Sequence, residues 1–337
     1  MSEETKIFRR ATLASVITST YPMIVVGCYF GITPWNMQRL SIDESDLSYA
    51  ILIFGIFFII SNQVAGRILV PKYGTKLVMT LAFPIVTFSA LLTVISSSYF
   101  YFLLTFISGG IGWGASGPIG GIHSQLIERH FKKIITPYYA MGFNLGILFG
   151  GGLAGLIMRN NYEPYISFTI LSFLSILVSY FVYSFGLPRD LDFKGEGEKF
   201  KFPETNVLLF GFLLFFVFGS GGIIMDWSTL WLSKDLNTPL YLASMGLIFF
   251  SIGGIFANLF SNSLINLFTE KVVGCYFVMI GAAIMFLSLL TNNFYIILIV
   301  LCIYGFAIAN LVPIIIRQAV KQSNESIPMT VTNLITI

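Results

Sequence analysis

Hydrophobic residues in this chain fall into long unbroken runs, separated by short stretches that hold nearly all the charge. A helix needs ~20 apolar residues to cross a hydrocarbon core. Runs of that size lie near 13–32, 48–68, 77–97, 99–121, 137–158, 165–185, 207–229, 240–264, 271–290 and 294–316. Strands of a membrane barrel would be ~10 residues long and would alternate in polarity; these runs do neither. Inside lipid the backbone has to satisfy its own hydrogen bonds, so each run predicts a helix. The expected fold class is an all-α polytopic membrane protein. Only Ser96, Ser97 and Ser98 join the third run to the fourth, and so short a link forces antiparallel neighbours.

The pattern then repeats. Six runs precede a polar stretch near 186–206, GLPRDLDFKGEGEKFKFPETN, and the pattern of runs begins again after it. Landmarks recur at a nearly constant offset: Trp35 and Trp227 are 192 apart, Tyr73 and Phe268 195, Pro118 and Pro313 195, Pro137 and Pro328 191. A repeat of this length predicts two similar halves, 1–185 and 207–337, joined by a surface linker at 186–206. In membrane proteins such halves hold a solute site between them. Shifted by the repeat length, the fifth and sixth runs would recur at and beyond the end of the sequence. The expectation is ten complete spans plus the start of an eleventh at Pro328, in a fragment that lacks the rest of that helix and the twelfth.

Composition agrees with the runs: 56% of residues are hydrophobic and 10% charged, against about a quarter charged in soluble domains. A net charge of +3, scattered along the chain, offers no footprint for a nucleic acid. Cys28, Cys275 and Cys302 lie in or beside apolar runs without metal-ligand spacing, and are read as small hydrophobes. Neither a metal nor a cofactor is implied. The opening MSEETKIFRR is not followed by a small-residue cleavage site, so the first run is read as a retained helix. Basic residues fall almost entirely on one side: 16 of 19 lie before the first run, at the even-numbered links, or after the tenth, whereas Arg39, Arg159 and Lys234 fall opposite. The positive-inside rule then puts the N-terminus and the linker in the cytoplasm. A multi-pass protein of a bacterial inner membrane, acting as a monomer, is the expectation.

The second link carries a family resemblance. It reads Arg67-Ile68-Leu69-Val70-Pro71-Lys72-Tyr73-Gly74-Thr75-Lys76, and it resembles the loop signature of the major facilitator superfamily, roughly G-x-L-x-D-R-x-G-R-K. Leu69, Lys72, Gly74 and Lys76 match; Pro71 stands where the signature has Asp, and the leading Gly is displaced to Gly66. The second-half copy, Asn266-Leu267-Phe268-Thr269-Glu270-Lys271, is degraded. Asp226-Trp227 and the basic run before Pro137 are similar to a bacterial branch near the fucose-permease type. The resemblance implies two six-helix halves and transport of a solute bound between them, and it implies that the eleventh span packs on the second span and its basic loop.

Polar groups within apolar helices are the candidates for chemistry, because exposing them to lipid is costly. On the first run Thr18, Tyr21 and Tyr29 share a face with Val25, either as a cavity wall or as packing. Asn144 and Asn310 are amides in apolar helices, able to face a solute or to bond a neighbouring helix. Asp226 is the one carboxylate within or at the edge of a run: a substrate or proton-coupling group, or a charge at a helix end. Trp227, Trp231 and Trp35 suit an interfacial belt. His123 is a candidate proton relay. The glycine-rich stretch from Gly109 to Gly121 has no basic residue at the phosphate-loop position and no preceding strand, so it reads as helix packing.

A secondary transporter for a small polar solute, a sugar among the candidates, fits these features. The alternatives are a receptor or assembly protein on the same fold, or a membrane-embedded enzyme or lipid-binding protein. An intramembrane enzyme needs clustered nucleophiles or paired acids at span depth; two histidines, His123 and His130, and one marginal Asp do not supply them.

Overall fold

A computed structural model of the protein describes residues 3–193 and 203–336. Among these residues ten helices are long and apolar enough to cross a membrane: α1 (Glu3–Leu40), α2 (Glu44–Tyr73), α3 (Thr75–Ile95), α4 (Tyr99–Phe131), α5 (Thr136–Arg159), α6 (Pro164–Phe185), α7 (Thr205–Lys234), α8 (Leu240–Leu259), α9 (Ser261–Ser288) and α10 (Phe294–Gln322). A short helix, α11 (Ile327–Thr336), follows. All ten predicted runs are helical. Several helices overshoot their runs, because hydropathy marks only the part inside lipid while the hydrogen-bond ladder continues beyond it. α4, for instance, carries on past the apolar run through Gln125 and Glu128 to Phe131.

Helix ends follow from local chemistry. Asp43 caps α2 in a reciprocal box with Asp46. The Glu128 carboxylate accepts from the backbone N–H groups of Ile135 and Thr136 at 2.7 and 2.6 Å, and so caps the start of α5. α2 passes through a π-turn at Ala65–Leu69 just before Pro71. A proline has no N–H to continue the ladder, so the helix shifts its hydrogen-bond register there. α9 holds a reversal within it. Thr269 has φ 72° and ψ 156°, and the rings of Phe268 and Phe277 lie 5.5 Å apart. Nine residues of straight helix would span ~13 Å, so the chain folds back at Thr269, the division the sequence placed between its eighth and ninth runs.

Between helices in lipid there is no hydrophobic drive to associate; close packing of small residues substitutes for it. Gly110 of α4 lies against the Phe54 carbonyl of α2, where an added Cβ would collide with that oxygen. Gly305 of α10 lies in the same way against the Phe250 carbonyl of α8. The two contacts sit one repeat length apart, so the internal repeat is visible in the backbone.

The helices before the linker meet those after it at both ends of the bundle. At one end Ala65, Ile119, Leu214, Ile316 and Val331 share one buried cluster. At the other, Met37, Leu47, Phe102 and Phe106 enclose Leu230 of α7, and Lys234 of α7 is ion-paired with Glu44 of α2. Between the two layers α5 packs along α8, with Asn144 pressed on Gly254.

Candidate functional site

Between the two contact layers lies a cavity of about 240 Å³. α1 lends it Met23, Val26, Tyr29, Phe30 and Thr33; α2, α3, α4 and α5 close it with Phe54, Ser89, Thr93, Thr105, Phe106, Trp113 and Phe143. From beyond the linker come Met225 and Asp226 of α7. The walls are mainly aromatic and apolar.

The polar atoms in the walls are mostly committed. Thr33 Oγ1 donates to the Tyr29 carbonyl at 3.1 Å, and Ser89 Oγ to the Thr105 carbonyl at 2.6 Å. Thr93 Oγ1 lies 2.7 Å from Thr105 Oγ1, which donates to the Phe102 carbonyl at 2.7 Å. Two groups remain. The buried Tyr29 hydroxyl has no partner of ordinary hydrogen-bond geometry among the described residues. Asp226 opens onto the cavity, no Lys, Arg or His lines it, and among the described residues no ion pair involves Asp226.

Of the residues singled out from sequence, the fold brings Tyr29 and Asp226 together at this cavity and leaves the others outside it. Thr18 Oγ1 turns back to the Ala14 carbonyl of its own helix, at 2.7 Å. Tyr21 donates to the Leu171 carbonyl of α6 at 2.6 Å and stacks on Phe83, with ring centroids 5.5 Å apart. Asn144 Nδ2 donates to the Ala140 carbonyl at 3.2 Å, and Asn310 Nδ2 to the Ala257 carbonyl at 3.0 Å, tying α10 to α8. The face of α1 that carries Tyr21, Val25, Cys28 and Ile32 is packed in a core with α3, α5 and α6. The cavity face is the adjacent one, at Met23, Val26, Phe30 and Thr33, whose helical spacing was the available signal. Of the three belt tryptophans, Trp35 lies under the Arg39 guanidinium at 5.4 Å, while Trp227 and Trp231 pack partly buried against separate clusters.

At the end of the bundle opposite Glu44 and Lys234, a polar network joins α2 to α11. Arg67 Nη2 donates to Asn333 Oδ1 at 2.5 Å and its Nε to Gln63; Asn333 Nδ2 in turn donates to Glu325 at 2.9 Å. Asn62 Nδ2 donates to the Thr332 carbonyl at 3.1 Å, and Gln63 to the Thr336 hydroxyl at 2.6 Å.

The sequence matches the Major Facilitator Superfamily over residues 14–336. The chain belongs to that superfamily. A curated relative, described as an uncharacterised MFS-type transporter of Yersinia pestis, is 21% identical over 311 residues, which cover 91% of this chain and 79% of that protein. Among solved structures, a nucleoside transporter, NupG, superposes with a TM-score of 0.69 at 14% identity, covering 96% of this chain and 86% of its own. A D-xylose–proton symporter gives 0.69 at 14% identity over 99% and 87%. The human organic anion transporter MFSD10 gives 0.66 at 15% identity over 100% and 90%. At these identities the structures speak for the shared fold.

The superfamily's loop signature is built here in an unusual way. Gly74 has φ 84°, a conformation that side chains rarely adopt. Pro71 occupies the Asp position, and a carboxylate reaches the loop from Asp192, just beyond α6. Asp192 accepts from the N–H groups of Thr75 and Lys76, both at 3.1 Å, and from the Thr75 hydroxyl at 2.7 Å. It thereby caps the start of α3. Arg189 donates to the Lys72 and Pro71 carbonyls at 3.2 and 3.4 Å, closing the end of α2. Leu69 packs at the edge of the buried cluster. Lys72 lies 5.0 Å over the Tyr73 ring and Lys76 4.7 Å over Tyr183.

His123 is part of this clamp. The Thr75 hydroxyl gives its hydrogen to Asp192, so His123 Nδ1, 2.7 Å away, is the donor to Thr75 Oγ1. Nε2 then accepts from the Leu187 N–H at 3.4 Å. The neutral Nδ1–H tautomer satisfies both contacts.

Proposed function

We propose that the protein is a secondary transporter that carries a small solute across a bacterial inner membrane by alternating access, through the cavity at Tyr29 and Asp226. The observation that carries this reading is the placement of that cavity. It is walled by α1 to α5 on one side and by α7 on the other, with a layer of contacts between the same two sets of helices at each end of the bundle. A solute held there is released when one layer parts while the other holds. In the proposed orientation the N-terminus and linker are cytoplasmic, following the basic residues, so the Arg67–Asn333 layer faces the cytoplasm and the Glu44–Lys234 pair faces outward. The proposed unit is a monomer of two halves, up to 185 and from 207. Asp226 stays in the proposed solute and coupling pathway; His123, held on both ring nitrogens, does not.

The test is a pair of distances. Spin labels on cysteines at Glu44 and Lys234, and separately at Gln63 and Thr336, report the two ends of purified protein in lipid nanodiscs. Alternating access requires two populations, with one pair wide where the other is narrow. Both pairs fixed at single distances, or widening together, would overturn the reading in favour of a receptor or a pore.

A further inference from the structure

We infer that the solute of this cavity is a monovalent organic cation with an apolar body. The inference rests on the transporter reading for its physiological meaning, but the binding chemistry stands on the cavity itself. Among the described residues Asp226 is the one charged side chain in the lining. It is only partly exposed and has no ionic partner among those residues. A carboxylate so placed is destabilised, and an entering cation relieves that cost where a neutral or anionic solute does not.

The neutral polar alternative fares worse on hydrogen bonds. A sugar presents a ring of hydroxyls, and a site that selects it supplies free donors and acceptors to match. Here the hydroxyl hydrogens of Thr33, Ser89, Thr93 and Thr105 are already directed to other protein atoms. Among the described lining residues the Tyr29 hydroxyl and the Trp113 indole N–H are the donors left over, too few to match a ring of hydroxyls. An anion would meet Asp226 with no basic residue to offset it.

The aromatic walls complete the match. Tyr29 lies edge-on to Phe106 with centroids 6.2 Å apart and beside Phe30 at 6.1 Å, while Trp113 and Phe143 form a second pair at 6.3 Å. Ring faces attract a diffuse cation such as a quaternary ammonium, the more so away from water. Met23 and Met225 add polarizable, adaptable wall to receive an apolar group. At about 240 Å³ the cavity suits a one-ring cation.

Isothermal calorimetry on the purified full chain in detergent tests this with three one-ring probes: benzyltrimethylammonium, benzyl alcohol and benzenesulfonate. The cation should bind, and the neutral and anionic probes should bind at least roughly tenfold more weakly. Asp226→Asn should weaken the cation by roughly tenfold or more, and Tyr29→Phe by less. The three-probe comparison on the unmodified protein needs no variant to fold. Absent heat with the cation, tighter binding of either other probe, or undiminished cation binding by Asp226→Asn would overturn the inference. If the cation fails while the end-to-end distances still alternate, the transporter reading survives without its cation; if the cation binds but the distances stay fixed, the cavity chemistry survives without transport.

Discussion

Gly74 and Thr269 hold nearly the same backbone at equivalent turns of the repeat: φ 84° with ψ 161° in one, φ 72° with ψ 156° in the other. Glycine adopts this conformation freely, whereas a β-branched residue is strained in it. The second turn keeps the shape of the first after losing the residue that makes the shape easy. Thr269→Gly should therefore raise stability by about 1 kcal/mol, read as an upward shift of the melting midpoint in detergent. Gly74→Thr should lower it. A fall in the midpoint with Thr269→Gly would mean that the strain is not there.

The paired glycine contacts give a second comparison. Gly305→Ala drives a methyl group into the Phe250 carbonyl, so α8 and α10 must separate, at a cost of about 1–3 kcal/mol. Gly110→Ala should behave alike against Phe54. Gly121→Ala on the same α4 meets nothing within 4 Å and should be neutral or slightly stabilising, since alanine is the better helix former. Equal melting midpoints for the three variants would contradict the packing argument.

Asp192 should be felt at a distance in sequence. Asp192→Ala leaves the N–H groups of Thr75, Lys76 and Phe193 and the Thr75 hydroxyl without their acceptor, a loss of about 1–3 kcal/mol. It also frees the connection after α6 from α3, so limited proteolysis near Phe193 should quicken. Thr75→Val should show both effects more weakly, because it removes the hydroxyl that links Asp192 to His123 but leaves the backbone N–H bonds to Asp192, while Thr75→Ser should behave like the unmodified protein.

Asp226→Asn should raise the melting midpoint even as it weakens cation binding, because an amide is easier to bury without a partner than a carboxylate. Opposed effects on stability and binding mark a group kept for function. A lowered midpoint would instead assign Asp226 to holding the helices together.

The helices were legible because lipid imposes a coarse rule, long apolar runs, that sequence displays directly; the repeat was legible because Pro118 and Pro313 or Tyr73 and Phe268 kept their spacing. The walls of the cavity were harder to see. Tyr21 and Phe30 are both aromatic residues on α1, and the choice of which faces a neighbouring helix and which faces the cavity is made by helices distant in sequence. Asn144 and Asn310 look like solute ligands in one dimension, yet their amides bond backbone carbonyls on their own or a neighbouring helix. Asp192 lies in a stretch that reads as ordinary polar surface, so nothing local announced that it would cap α3.

An unaccompanied carboxylate amid the bundle also has an electrical meaning. One elementary charge moved through a membrane potential is worth ~2.3 kcal/mol per 100 mV. On the alternating-access mechanism proposed above, an interior-negative voltage pushes the empty form with an ionised Asp226 toward the outward-facing state. Once a cation sits beside Asp226 the pair is neutral, and the loaded form turns over without electrical work. The same residue that selects the solute would thus let voltage drive the return step and make net movement inward.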